Sequence, residues 1–174
     1  LGKDSADKAK QVYRKALSGA TDSDLVKKIS KSLKDLGDEV DLVTHFGFLT
    51  DWRIVGPFDN REFIGFDIAY APEKELDFVA KLQAKDGEVA WGVITTSDEF
   101  GIVDIAKSVA PHKGAVMYLA TSYEADANRN VEFRFGTPNA WKLWVNGKFL
   151  FGRDEYHRGM AIDQYRVPAK LKAG

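Results

Sequence analysis

Glu132 and Arg134 stand two residues apart in an alternating segment, and Lys142 and Trp144 repeat that spacing ten residues on. A spacing of two puts both members of each pair on one face of a strand. An aromatic ring beside charged groups is suited to holding a sugar in water. The ring stacks on the apolar C–H face, and the charged groups fix hydroxyls. Lys142 and Trp144, with Glu132 and Arg134 on a neighbouring strand, are therefore one candidate ligand surface. The same residues also fit a solvated cross-strand charge ladder with Trp144 packed inward. A second candidate is the segment Gly152-Arg153-Asp154-Glu155-Tyr156-His157-Arg158-Gly159, dense in donors and acceptors. Tyr156, His157, Arg158 and the nearby Asp163 are its candidate contacts, because end loops on a rigid scaffold present ligand groups. The alternative is that Arg158 and Asp163 only brace the loop.

Other chemistries find less support. His45, His112 and His157 lie far apart and lack the short spacings of a metal-binding pair. There is no cysteine, which removes disulfides, thiolate metal sites and a thiol nucleophile. Asp59, Asn60, Glu62 and Asp67 share a loop with Gly65 and offer the oxygens a structural calcium prefers, without EF-hand spacing. No nucleophile elbow or phosphate-cradling glycine motif occurs. The loop acids Asp98, Glu99, Asp154, Glu155 and Asp163 could supply a carboxylate pair only if folding brought two of them together across a cleft. The expectation is a chain without catalysis or cofactor.

These residues need a scaffold, and composition describes it. The chain has 174 residues, 44% of them hydrophobic and 12% aromatic, enough for a core in one domain with a small appendage. Lys plus Arg number 25 and Asp plus Glu 26, so no basic surplus exists for nucleic acid. No run of about 18 apolar residues points to membrane insertion. The chain opens on Leu1-Gly2 rather than Met, as expected of an excised or processed piece.

Character changes near residue 44. Tyr13 is the sole aromatic of residues 1–44, and the other aromatics all come after it. The first part predicts two helices. One is capped by Asp4 or Ser5, with Ala6, Ala9, Val12, Tyr13, Ala16 and Leu17 as its stripe, and it ends at Gly19. The other is capped by Asp22 or Ser23, with Leu25, Val26, Ile29, Leu33 and Leu36, and it ends at Gly37. Such a hairpin cannot bury its stripes alone, so it docks on the strand-rich part or closes a helical-repeat array. The second part predicts strands over 48–55, 76–82, 89–95, 102–105, 115–123, 131–135, 141–145, 148–151 and 165–171. Residues 115–123 are expected to be central, and Asn146-Gly147 is expected to form a tight hairpin turn. Trp52 and Trp91 are expected core anchors. Short strands joined by turns, without crossover helices, predict an antiparallel β-sandwich.

Two stretches carry a resemblance. They are Thr50-Asp51-Trp52-Arg53-Ile54-Val55-Gly56-Pro57-Phe58-Asp59-Asn60, with Gly65-Phe66-Asp67 and Tyr70-Ala71-Pro72-Glu73, and Trp141-Lys142-Leu143-Trp144-Val145-Asn146-Gly147-Lys148, with Arg158-Gly159 and Asp163-Gln164-Tyr165-Arg166-Val167-Pro168. They resemble the opening segment and the hairpin of galactose-binding-like jelly-roll domains, which resemble carbohydrate-binding modules and occur in large bacterial secreted or envelope proteins. The resemblance covers most of residues 48–173. It implies a non-catalytic accessory module, a preceding helical repeat, an extracytoplasmic setting and, in some members, a structural calcium. In the family a further strand comes after the segment like 170–174, so a longer natural chain is expected.

Together these readings predict a mainly β, galactose-binding-like sandwich over residues 45–174, preceded by a helical hairpin over 1–44. The expected role is weak glycan binding within a larger protein. The alternatives are a structural module whose partner is another domain, and a domain associated with a glycoside hydrolase.

Overall fold

In the computed structural model, which describes residues 3–174, the lysine-, alanine- and aspartate-rich start of the chain forms two antiparallel helices. They are α1 (Lys3–Gly19) and α2 (Ser23–Asp35). Asp22 caps α2 as expected, its carboxylate accepting from the Leu25 N–H at 2.8 Å. At the other end Gly37, at φ 74°, donates to the Lys34 carbonyl, and Asp38 donates to that of Leu33. That pair of bonds is the Schellman stop. In α1 the expectation shifts by a residue or two. Asp4 and Ser5 lie inside the first turn, where Asp4 faces the positive end of the helix dipole, and Gly19 is the last helical residue.

The hairpin buries Leu17, Val26, Ile29 and Leu33, while Val12 and Leu25 point outward. Its core is completed by Leu42 and Phe100, flanked by Phe46, Phe48 and Ile162. Phe100 and Ile162 come from the strand-rich part, so the helices dock on it. Arg14 fixes the end of the hairpin with two bonds to the Asp38 carboxylate, at 2.6 and 2.8 Å. A third helix, α3 (Leu42–Phe46), capped by Asp41, bridges the expected boundary.

Beyond it every strand pairing is antiparallel. β1 (Asp51–Asp59) is the centre of a three-stranded sheet between β4 (Gly92–Thr95) and β5 (Ala115–Ala120). β2 (Lys81–Ala84) pairs with β3 (Gly87–Ala90), β6 (Arg129–Phe135) with β9 (Tyr165–Leu171), and β7 (Trp141–Val145) with β8 (Lys148–Arg153). The strand-rich part is thus four small sheets, with short helices α4 (Ala71–Lys74) and α5 (Ile105–Ser108) between them.

Several expectations are corrected. The segment 115–123 is an edge, not the centre, because β1 accepts partners on both sides. β1 does not stop at Gly56-Pro57: pairing breaks after Val55 and resumes at Phe58, so a bulge carries the strand past the proline. A side chain at Gly56 would press on the Met117 sulfur, which explains the glycine. The segment 89–95 divides at Trp91 into β3 and β4, and 102–105 is irregular, with Asp104 capping α5. Of the expected strand 76–82 only the end pairs, as the start of β2. Trp52 and Trp91 are half-buried rather than central, with Trp91 edge-on to Phe78 at 5.1 Å. No described helix is long and apolar enough to cross a membrane.

Candidate functional site

Glu132 and Arg134 lie on β6, whose partner is β9, whereas Lys142 and Trp144 lie on β7, whose partner is β8. The two pairs therefore do not share a sheet, and the single surface expected from the sequence does not form. Trp144 is half-buried, 5.5 Å from the Phe149 ring and 6.5 Å from Tyr118. Lys142 turns to Glu73 on α4, at 3.4 and 3.5 Å from its two oxygens. Its ammonium also lies over Phe66 at 5.0 Å and Trp144 at 5.9 Å. The Tyr118 hydroxyl donates to Glu73 Oε1 at 2.6 Å. Burial, the hydrogen bond and the carboxylate's charge together push the Tyr118 phenol well above its ordinary range. With side chains 19% and 10% exposed, Lys142 and Glu73 form an internal joint between β7, β5 and α4.

The other face of the same hairpin is open. Trp141 lies opposite Arg153 and Leu143 opposite Phe151; the register then slips, so that Trp144 meets Phe149. The slip puts Phe149 and Phe151 on opposite faces of the ribbon, although they are two residues apart. Phe149 joins Trp144, and Phe151 joins Trp141. Gly152 sits in this stretch because a Cβ there would approach the Trp141 carbonyl oxygen to 2.9 Å.

Where this face meets β9 there is an open groove of about 370 Å³ lined by Trp141, Phe151, Arg153, Gln164, Tyr165, Arg166 and Val167. Its floor is aromatic. The Trp141 ring is 4.9 Å from Tyr165, 5.9 Å from Phe151 and 4.6 Å from Phe135. The Arg153 guanidinium lies 6.0 Å above Tyr165 and 2.5 Å from Glu155. Gln164 is held by its carbonyl, which accepts from the Thr137 N–H, and by its amide, which donates to the Gly159 carbonyl. A second hollow, among Ile54, Gly92, Ile94, Val109 and Met117, has no charged or amide side chain in its lining.

The sequence-predicted charged residues border the groove rather than line it. Asp163 receives Arg134 at 2.9 Å and Arg166 at 3.7 Å, and Arg134 also binds Glu132 at 2.7 Å. Arg158 is 3.4 Å from Glu155, and its backbone N–H donates to the Pro138 carbonyl. Tyr156 is exposed, edge-on to Phe63, with the His157 ring 3.9 Å away. Trp144 and Lys142 lie outside the candidate site altogether. Trp141, Phe151, Arg153, Gln164, Tyr165 and Arg166 form it, and Trp141 takes the place that alternation suggests for Trp144.

The loop acids do not gather as a calcium site. Arg61 takes both Asp59 oxygens and lowers that carboxyl to about 2. Asn60 Oδ1 accepts from the Gly65 N–H, and Asp67 is exposed. A guanidinium already occupies the place a cation would take. Among the described residues no group of three His, Asp or Glu side chains is arranged to hold a metal.

Comparison with known proteins finds no family model, curated protein or solved structure that matches the chain. The resemblance to galactose-binding-like domains therefore rests on the sequence motifs alone.

Proposed function

We propose that the chain is a non-catalytic, carbohydrate-binding module whose ribbons are those of a galactose-binding-like sandwich, with the groove between β8 and β9 as its glycan site. One observation carries the reading: an open groove lined by the aromatic rings of Trp141, Phe151 and Tyr165, with Phe151 half exposed and Arg153 and Gln164 beside them. Stacking on the floor supplies affinity, and the guanidinium and amide groups orient hydroxyls. Such a module serves a larger secreted or envelope protein by keeping it near polysaccharide.

Isothermal titration against a panel of oligosaccharides tests this. The expected dissociation constant is about 1 μM to 1 mM, that is roughly −8 to −4 kcal/mol. Phe151, half exposed on the groove wall, is the residue to remove: Phe151→Ala is expected to weaken binding about tenfold, the equivalent of one aromatic contact. No binding to any of the panel, or unchanged binding by the variant, contradicts the proposal.

A second reading, a module that docks on a protein partner, is favoured by a different observation. β4 is an unpaired sheet edge whose Val93 is 72% exposed, and Val79 is 91% exposed. Under that reading Val93→Lys abolishes partner binding and leaves glycan titrations unchanged.

A further inference from the structure

β4 is an outer strand of the three-stranded sheet, and one contact fixes which of its backbone groups are free. The Thr96 N–H donates to the Thr50 carbonyl at 3.0 Å, so Thr96 and Thr50 are a bonded pair of the antiparallel ladder. Bonded and unbonded pairs alternate in such a ladder. In the β1–β4 register the next bonded pairs are then Ile94 with Trp52 and Gly92 with Ile54. The Asp51 carbonyl agrees, since it turns the other way and accepts from the Thr121 hydroxyl beyond β5. The N–H and C=O groups of Val93 and Thr95 therefore point out of the sheet edge, and among the described residues none of them finds a backbone partner.

The strand also lacks the devices that keep an edge solitary. Charged residues and proline on edge strands discourage pairing. β2, β8 and β9 carry Lys81, Lys148 and Lys170, and β9 adds Pro168. Gly92-Val93-Ile94-Thr95 has neither, and all but Ile94 are exposed. β5 is likewise uncharged but half-buried throughout.

We infer that β4 is a self-pairing edge, its partner the β4 of a second copy of this chain. The spacing of the free groups selects that partner. Val93 and Thr95 are two residues apart, so a twofold axis at Ile94 sets Val93 against Thr95 of the second copy, and Thr95 against its Val93. Every outward N–H and C=O of the two residues is then bonded across the axis. Ile94, which lines the apolar hollow beside Gly92 and Val109, meets its own counterpart at the close, unbonded position. No charge on either strand opposes another, and the two sheets join into one. A strand of 4 residues is far short of the about 20–30 residues a side of a standard interface, so the dimer is weak, with a dissociation constant of about 10 μM to 1 mM. The inference rests on the protein-docking reading of this edge and names the partner.

Sedimentation of the full chain between about 5 μM and 1 mM tests it. The weight-average mass is expected to rise from one chain toward two. Hydrogen exchange at the two ends of that range reads the edge itself. The Val93 and Thr95 amides should be unprotected at the lower concentration and protected about tenfold at the upper, with the Ile94 amide protected at both. Val93→Pro removes an outward N–H that β1 does not use, and Val93→Lys sets a charge on each side of the axis. Each is expected to weaken the dimer about tenfold or more, and Val93→Lys should keep the melting temperature of the parent chain. A chain that stays monomeric throughout, with both amides unprotected, overturns this inference and leaves the docking reading to a different protein. Protection of both amides in the monomer overturns the inference and the docking reading together. A dimer unchanged by both variants lies on another surface and also overturns the inference.

Discussion

Replacing Glu73 by alanine probes the joint that holds the β7–β8 hairpin to the rest of the fold. Glu73 and Lys142 are largely withdrawn from water, with side chains 10% and 19% exposed. Breaking a fully buried ion pair by removing one partner costs about 3–5 kcal/mol. Two features lower that figure here. The contact is long, 3.4 Å at its shortest, and the stranded ammonium keeps Phe66 at 5.0 Å as a cation–π partner. The charge contribution then falls to about 1–2 kcal/mol. Losing the acceptor of the Tyr118 hydroxyl adds about 1 kcal/mol. Glu73→Ala is therefore expected to destabilise the chain by about 2–3 kcal/mol. Glu73→Gln, which keeps an acceptor for Tyr118, should cost about 1–2 kcal/mol. Urea unfolding monitored by tryptophan fluorescence reads this directly. With a slope near 2 kcal/mol/M, the alanine variant should lose about 1–1.5 M in midpoint at unchanged slope. A loss below about 0.5 kcal/mol, or the same loss from Glu73→Ala in a Lys142→Met background, would refute the coupling.

Three further outcomes are expected. Trp144→Ala should cost about 2–4 kcal/mol in urea unfolding and leave glycan titrations unchanged, because its ring faces Tyr118 and Phe149 on the side away from the groove. Phe100→Ala should cost about 3–5 kcal/mol and expose α1 and α2 to hydrogen exchange, because Phe100, 8% exposed, closes the helical core. Alkaline stability should depend on Tyr118. Its phenol titrates higher in the fold than in the unfolded chain, so its contribution is complete below pH about 10 and is lost as pH rises further. Tyr118→Phe should flatten that decline in pH-dependent melting.

The parts of the fold that local chemistry dictates are legible in the sequence. Asp22, Gly37, the Asn146-Gly147 turn and β9 come from capping, positive φ and alternation, which act over a few residues. Strand neighbours depend on contacts between distant segments, and alternation says nothing about them. Joining Glu132–Arg134 to Lys142–Trp144 requires a pairing that does not exist, since β6 chooses β9 and β7 chooses β8. The place of the groove escapes the sequence for a similar reason. A one-residue slip opposite Leu143–Trp144 sends Phe151 to the Trp141 side, against the period of two. The motif Gln164-Tyr165-Arg166 is visible as part of the resemblance, and its position directly after Asp163 is a usable signal. Glu73 is visible in the same way within Tyr70-Ala71-Pro72-Glu73, but no spacing rule ties it to Lys142, 69 residues away.

On the proposed function, the open face of the β7–β8 hairpin, not the Trp144 face, meets the ligand. Backbone and indole amide shifts recorded during titration with the oligosaccharides of that panel test this most directly. Saturable shifts are predicted at Trp141, Phe151, Arg153, Tyr165 and Arg166, with the Trp144 indole unmoved. Shifts centred on Trp144 and Lys142, or no saturable shift at any residue, would contradict it.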